Sequence, residues 1–228
     1  MKLTVLGKYG PYPKSGGACS GYLVEEGDTR ILCDIGTGVL ARLFKACSPE
    51  CLDALVLTHF HYDHTSDLLP LCYWLEQNNV TLKVFAPPGS GAWETVLLDH
   101  PNLEVVTVRD GETVTLKDVT LRFLQMRHAV NNLAVRVEGG KTLLYTGDTA
   151  LCPAVFDAAS GADLVLADCS KPEGFCGSHM TVVDALTIRR RTGVRVLATH
   201  QSPEYDPEPY FRDKTGVRSA QEEILYEI

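Results

Sequence analysis

The stretch Thr58-His59-Phe60-His61-Tyr62-Asp63-His64-Thr65 constrains this chain more than any other. It sets four metal-ligand side chains within six residues, directly after the apolar run Leu55-Val56-Leu57. His59, His61, Asp63 and His64 offer imidazole nitrogen and carboxylate oxygen, donors that suit zinc, manganese or iron. Crowded together without a cation, they would repel or lie unsatisfied. In an extended segment His59 and His61 project from one face, whereas the adjacent Asp63 and His64 point apart unless the chain turns there. One pair can serve one ion and the other pair a second. The ordinary alternative is a polar, histidine-rich loop at a strand end, and other residues must decide between the two.

The chain has seven histidines, and all but His100 lie just beyond an apolar, strand-like run or in a Gly-containing loop. Strand ends are where loops converge on a site, so His128, His179 and His200 join the candidates. His100, in Asp99-His100-Pro101-Asn102, reads as a solvated turn residue. Asp148, in Tyr145-Thr146-Gly147-Asp148-Thr149, is a carboxylate at a strand terminus beside a glycine that lets the backbone approach closely. It reads as a ligand, with a turn cap as the local alternative.

Strands and helices alternate along the chain. Residues 2–7 alternate like a strand, 21–25 and 30–34 form a hairpin about Glu26-Gly27-Asp28, and Val39, Leu40, Leu43 and Phe44 recur at helical spacing. Residues 53–57 form the strand that delivers the His-rich stretch, and a helix starts at Asp67 with that residue as its N-cap. A strand at 82–86, a helix from Pro87 to Leu98, and strands at 103–108, 113–116, 119–126, 132–137 and 141–145 follow. Then come a helix at 153–159, a strand at 163–167, a helix at 181–191 capped by Thr181, a strand at 194–198, and a closing helix from Ser219 to about Tyr226. The loop from Lys8 to Ser20, with Pro11, Pro13, Gly16 and Gly17, is long enough to carry function, and Tyr9, Tyr12, Lys14 and Ser20 are candidates to line a pocket.

With 228 residues and 45% hydrophobic content, the chain can bury a full core and is most simply one domain over 1–228. A formal charge of -8 argues against general adhesion to nucleic-acid backbone. Eight cysteines form no CxxC pair, and several sit in apolar runs, which reads as reduced thiols in a cytoplasmic protein. The N-terminus lacks the apolar stretch of a signal peptide, and no run approaches the length of a membrane span.

The order HxHxDH, a strand-end His128, Thr-Gly-Asp-Thr and a final Ala-Thr-His resembles the metallo-β-lactamase superfamily over nearly the whole chain. The resemblance implies an α/β fold, the αβ/βα four-layer sandwich, in which two mixed sheets pack face to face with helices outside. It implies two divalent ions, zinc first with manganese or iron as alternatives. His59, His61 and His128 would hold one ion, Asp63, His64 and His200 the other, and Asp148 would bridge them. The β-lactamases of the superfamily resemble a pattern with Cys at the bridging position, so Asp148 turns the expectation away from antibiotic hydrolysis.

Gly177-Ser178-His179-Met180-Thr181 ahead of a helix, with His200-Gln201-Ser202-Pro203 after the next strand, resembles the ribonuclease Z and cyclic phosphodiesterase branch. There a His-x-Thr segment supplies a histidine to the scissile phosphate or leaving group, a role the resemblance gives to His179. Ribonuclease Z carries a long tRNA-gripping arm between the positions of His128 and Asp148, and the short span here has room only for two strands and a turn. The expectation is therefore a metal-dependent hydrolase of a small linear or cyclic phosphodiester, using water activated between two ions, with Asp63 orienting or deprotonating that water and His179 donating to the leaving group. Asp168 or a nearby carbonyl would fix an imidazole tautomer. Thioester or lactone hydrolysis, ribonuclease Z-like RNA processing and di-iron oxygen chemistry are the alternatives. By resemblance a homodimer is expected; the missing arm and the acidic charge disfavour tRNA as a partner, and no membrane partner is expected.

Overall fold

The computed structural model describes residues 1–89, 91–174, 177–211 and 216–228, so Cys176 lies outside the described residues. In chain order the first half runs β1 (Lys2–Gly7), β2 (Gly21–Glu26), β3 (Thr29–Cys33), α1 (Val39–Ala46), β4 (Ala54–Val56), α2 (Tyr62–Thr65), α3 (Leu68–Asn78), β5 (Leu82–Ala86), α4 (Ala92–Leu98) and β6 (Leu103–Thr107). The second half runs β7 (Thr113–Leu116), β8 (Val119–Met126), β9 (Asn132–Glu138), β10 (Thr142–Tyr145), α5 (Pro153–Ala159), β11 (Leu164–Asp168), α6 (Val182–Thr192), β12 (Arg195–Thr199), β13 (Val217–Ser219) and β14 (Leu225–Glu227).

These strands form two seven-stranded mixed sheets, ordered β14-β1-β2-β3-β4-β5-β6 and β13-β12-β11-β10-β9-β8-β7. Alternation along each strand explains why the sheets stack. In β2, Tyr22 and Val24 point into an inter-sheet core with Phe85, Phe123, Val135 and Tyr145, while Leu23 points the other way. The outer face of the first sheet is covered by Val39 and Leu43 of α1 and Leu68, Leu71 and Leu75 of α3. The outer face of the second is covered by Val155 of α5 and Val182, Ala185 and Ile188 of α6. The result is the four-layer αβ/βα sandwich that the motif order implied.

Three local readings need correction. The closing helix does not form: Leu225, Tyr226 and Glu227 pair antiparallel with Thr4, Leu3 and Lys2 and complete the sheet edge. The ladder hydrogen bonds of β1 outweigh the helix preference of the Ala220-Gln221-Glu222-Glu223 segment and its neighbours. Asp67 holds the N-cap position of α3, but its side chain makes no cap hydrogen bond there; its carboxylate accepts instead from the Leu40 N–H at 2.9 Å, at the start of α1. The helix expected from Pro87 starts at Ala92. Thr181 behaves as its sequence implies, since it and Asp184 form a reciprocal capping box at the start of α6.

Between His128 and Asp148 the chain makes only β9, a tight turn and β10, an antiparallel hairpin closed at Gly139 and Lys141. Among the described residues, no helix is long and apolar enough to cross a membrane. The seven described cysteines are free thiols.

Candidate metal centre

The cluster forms where strands of both sheets end along the same edge. Thr58 and His59 follow β4, His128 follows β8, Asp148 follows β10, Asp168 ends β11 and His200 follows β12. Crevices outside the carboxyl ends of parallel strands are the usual place for a site in such sheets. His61 is still extended, with φ -66° and ψ 150°, and the chain then turns through α2, which brings Asp63 and His64 back toward the same centre. That turn resolves the divergence that adjacent residues would otherwise have.

All seven expected ligands meet there. One set comprises His59, His61, His128 and Asp148, another Asp63, His64 and His200, and within each set the donor atoms lie within 4.8 Å of one another. His61 Nδ1 stands 3.1 Å from His59 Nε2 and 3.3 Å from His128 Nε2. Asp148 lies between the sets, with Oδ2 3.6 Å from His59 Nε2 and 3.3 Å from His200 Nε2, and Oδ1 3.3 Å from His64 Nε2. His200 Nε2 is 3.0 Å from Asp63 Oδ2. His100 sits apart in the turn after α4, where its Nδ1 accepts from the Asn102 N–H at 3.2 Å.

Hydrogen bonds behind the cluster fix the imidazoles. Asp34 is fully buried and accepts from the Thr58 N–H at 2.8 Å, the Thr58 hydroxyl at 2.9 Å, His64 Nδ1 at 2.7 Å and the Tyr145 hydroxyl at 2.7 Å. The Thr58 hydroxyl has one proton, and a carboxylate can only accept, so that proton goes to Asp34. His59 Nδ1, 3.0 Å from the same hydroxyl, must therefore donate to it. His64 Nδ1 donates to Asp34, and His128 Nδ1 donates to the Ser178 carbonyl at 3.1 Å. Each of these three rings turns its Nε2 lone pair inward, the tautomer a metal ligand requires.

Asp34 was missed from sequence. It has the signature that singled out Asp148, a lone carboxylate closing an apolar run, and that signal was available in Leu32-Cys33-Asp34. Its backbone φ is 58°, as His200's is 50°, a left-handed conformation that non-glycine residues hold at a cost of about 1–3 kcal/mol when surroundings over-determine them. Asp168 is fully buried and accepts from His179 Nδ1 at 2.9 Å and from the Thr149 N–H at 3.0 Å. The His179 ring stacks on His200 with centroids 5.2 Å apart.

The long Lys8 to Ser20 loop is stitched to the site from the other side. Gly10 N–H donates to the Gln201 carbonyl at 3.1 Å, and a Cβ at Gly10 would stand 2.0 Å from His200 Nε2. Tyr9 and Lys14 line a cleft of about 320 Å³ with Gln201 and Tyr205, whereas Tyr12 is half exposed against Glu204 and Ser20 is buried. Gly147 is equally required, since its φ is 55° and a Cβ there would meet Asn132 Oδ1 at 2.4 Å.

The donor set fits cations on three grounds. Four donors about 2.0–2.1 Å from one ion at tetrahedral angles stand about 3.3 Å apart, close to the spacings around His61. His64 Nε2 and Asp148 Oδ1, which face the centre, are buried without a hydrogen-bond partner. The charges also seek a positive centre. Burial pushes the Asp63 carboxyl up, yet the neighbouring His64 and His200 prevail and hold it at about 2. Burial pushes His200 down, yet Asp148 and Asp63 prevail and raise it to about 9. Protons on imidazoles thus supply the charge a divalent ion would supply.

The chain is similar to known proteins. The Beta-lactamase superfamily domain matches residues 29–200. The Probable metallo-hydrolase YhfI of Bacillus subtilis is 31% identical over 211 residues, covering 88% of this chain and 86% of that protein. A Ribonuclease Z of Mycobacterium sp. (strain KMS) is 30% identical over 245 residues, covering 91% of this chain and 86% of that protein. The crystal structure of YhfI superposes with a TM-score of 0.91 at 27% identity, covering 99% of this chain and 98% of that one. The chain therefore belongs to the β-lactamase superfamily and is a hydrolase of the metallo-β-lactamase fold.

Proposed function

We propose that the chain hydrolyses a small phosphodiester at a centre of two divalent cations. His59, His61 and His128 would hold one cation, Asp63, His64 and His200 the other, with Asp148 shared. Such cations, when bound, supply Lewis acidity toward phosphate oxygens and lower the pKa of water. The protein's own part begins with His59, His64 and His128, whose inward Nε2 atoms are set by Thr58, Asp34 and the Ser178 carbonyl. Asp63, held at about 2, is ionised through the neutral range, so it orients water by accepting a hydrogen bond and does not keep a proton.

The observation that carries the phosphodiester reading is the His179–Asp168 pair beside the cluster. Asp168 fixes His179 through Nδ1 at 2.9 Å, and the ring, 3.8 Å from Asp148 through the same nitrogen, stays partly open to solvent. Its Nε2 is left to donate a proton to a departing alkoxide. A Ribonuclease Z among the relatives favours RNA as a second reading. The plain β9–β10 hairpin and the charge of -8 support the small substrate over it. The test is turnover of bis(p-nitrophenyl) phosphate by cation-loaded protein, set against thioester and lactone panels. Preference for the phosphodiester is expected, and hydrolysis confined to carbonyl substrates would overturn the reading.

A further inference from the structure

A cleft of about 580 Å³ opens beside the cluster, walled by Phe60, His61, Tyr62, Trp93, Glu94 and Val130 among others. That volume lies within the usual range of small-molecule sites, roughly 300–1,000 Å³. His61 belongs to both places: its Nδ1 faces His59 and His128, and its residue forms part of the cleft wall. The cleft thus offers room, next to His61, for one ester group of a phosphodiester held at the cluster.

The walls say what that group is. Tyr62 is 66% exposed and stands edge-on to Trp93, with centroids 5.0 Å apart at 87°. The pair is anchored to the site: Trp93 Nε1 donates to the Thr65 hydroxyl at 3.3 Å, and that hydroxyl donates to the His61 carbonyl at 2.9 Å. Aromatic rings presented at an open cleft and fixed in place offer faces and edges to a flat π-system. Glu94 adds a carboxylate to the same wall, which repels a second anion and accepts from an N–H.

We propose that this cleft is a specificity site for a planar, uncharged aromatic or heteroaromatic ester group, with Trp93 as its selecting wall and Glu94 as the group that turns away a second anion. The assignment rests on the phosphodiesterase reading and deepens it.

The test is calorimetric binding of phenyl phosphate and methyl phosphate to the cation-loaded chain, alongside turnover of bis(p-nitrophenyl) phosphate. Phenyl phosphate is expected to bind at least tenfold more tightly than methyl phosphate. Trp93→Ala should bring that ratio near one with methyl phosphate affinity unchanged, while Trp93→Phe, which keeps an aromatic face, should retain most of it. Glu94→Gln should strengthen binding of p-carboxyphenyl phosphate several-fold and leave phenyl phosphate unaffected. Equal affinities in the unsubstituted chain, or a ratio that survives Trp93→Ala, would overturn the cleft assignment even where turnover is intact. A preserved ratio without any phosphodiester turnover would instead count against the activity and leave the cleft standing.

Discussion

Asp34 Oδ2 accepts from His64 Nδ1 at 2.7 Å, and both side chains are fully buried. This contact aims His64 Nε2 at Asp148 and Asp63. Asp34→Asn keeps the shape and tolerates the left-handed backbone, but removes the charge that orients the ring. Zinc affinity, measured by competition with a chromophoric chelator, is expected to fall about 10–100-fold with the fold intact.

Tyr145 supports the same carboxylate from the inter-sheet core, donating to Asp34 at 2.7 Å while its ring lies 4.7 Å from Tyr22. Tyr145→Phe preserves the packing and removes one donor to a buried charge. Urea denaturation should show a loss of about 1–3 kcal/mol. No loss would mean that Asp34 finds its fourth partner elsewhere.

Gly10 lies against His200, where an added Cβ would stand 2.0 Å from the ring. Gly10→Ala is expected to push the loop or the histidine aside, costing about 1–3 kcal/mol and weakening cation binding together. Thermal denaturation with and without added zinc checks this: the zinc-induced rise in Tm should shrink.

His179 is held by Asp168 and, unlike the other histidines of the cluster, is assigned a proton-donating role. His179→Ala should lower phosphodiester turnover about 100-fold or more with cation content unchanged. Loss of the cation would make His179 a ligand.

Much of this was legible in the sequence because period and spacing are local. The inward and outward alternation of Tyr22, Leu23 and Val24 marks a sheet covered on both faces, and the ligands announce themselves at the ends of apolar runs. What escaped reading depends on distant partners. Asp34 meets His64 thirty positions on and Tyr145 one hundred and eleven positions on, and no local pattern encodes either contact. The strand at Leu225–Glu227 exists because Lys2–Thr4 offers it an edge. Asp67 reads as the cap of the helix that follows it and instead serves Leu40, twenty-seven positions earlier.

The most direct measurement of the central claim is metal content and phosphodiester turnover of the unsubstituted chain beside a His59→Ala, His61→Ala double variant. Two cations per chain are expected in the first, with at least one lost and hydrolysis of bis(p-nitrophenyl) phosphate abolished in the second. Full hydrolysis by the double variant would contradict the account.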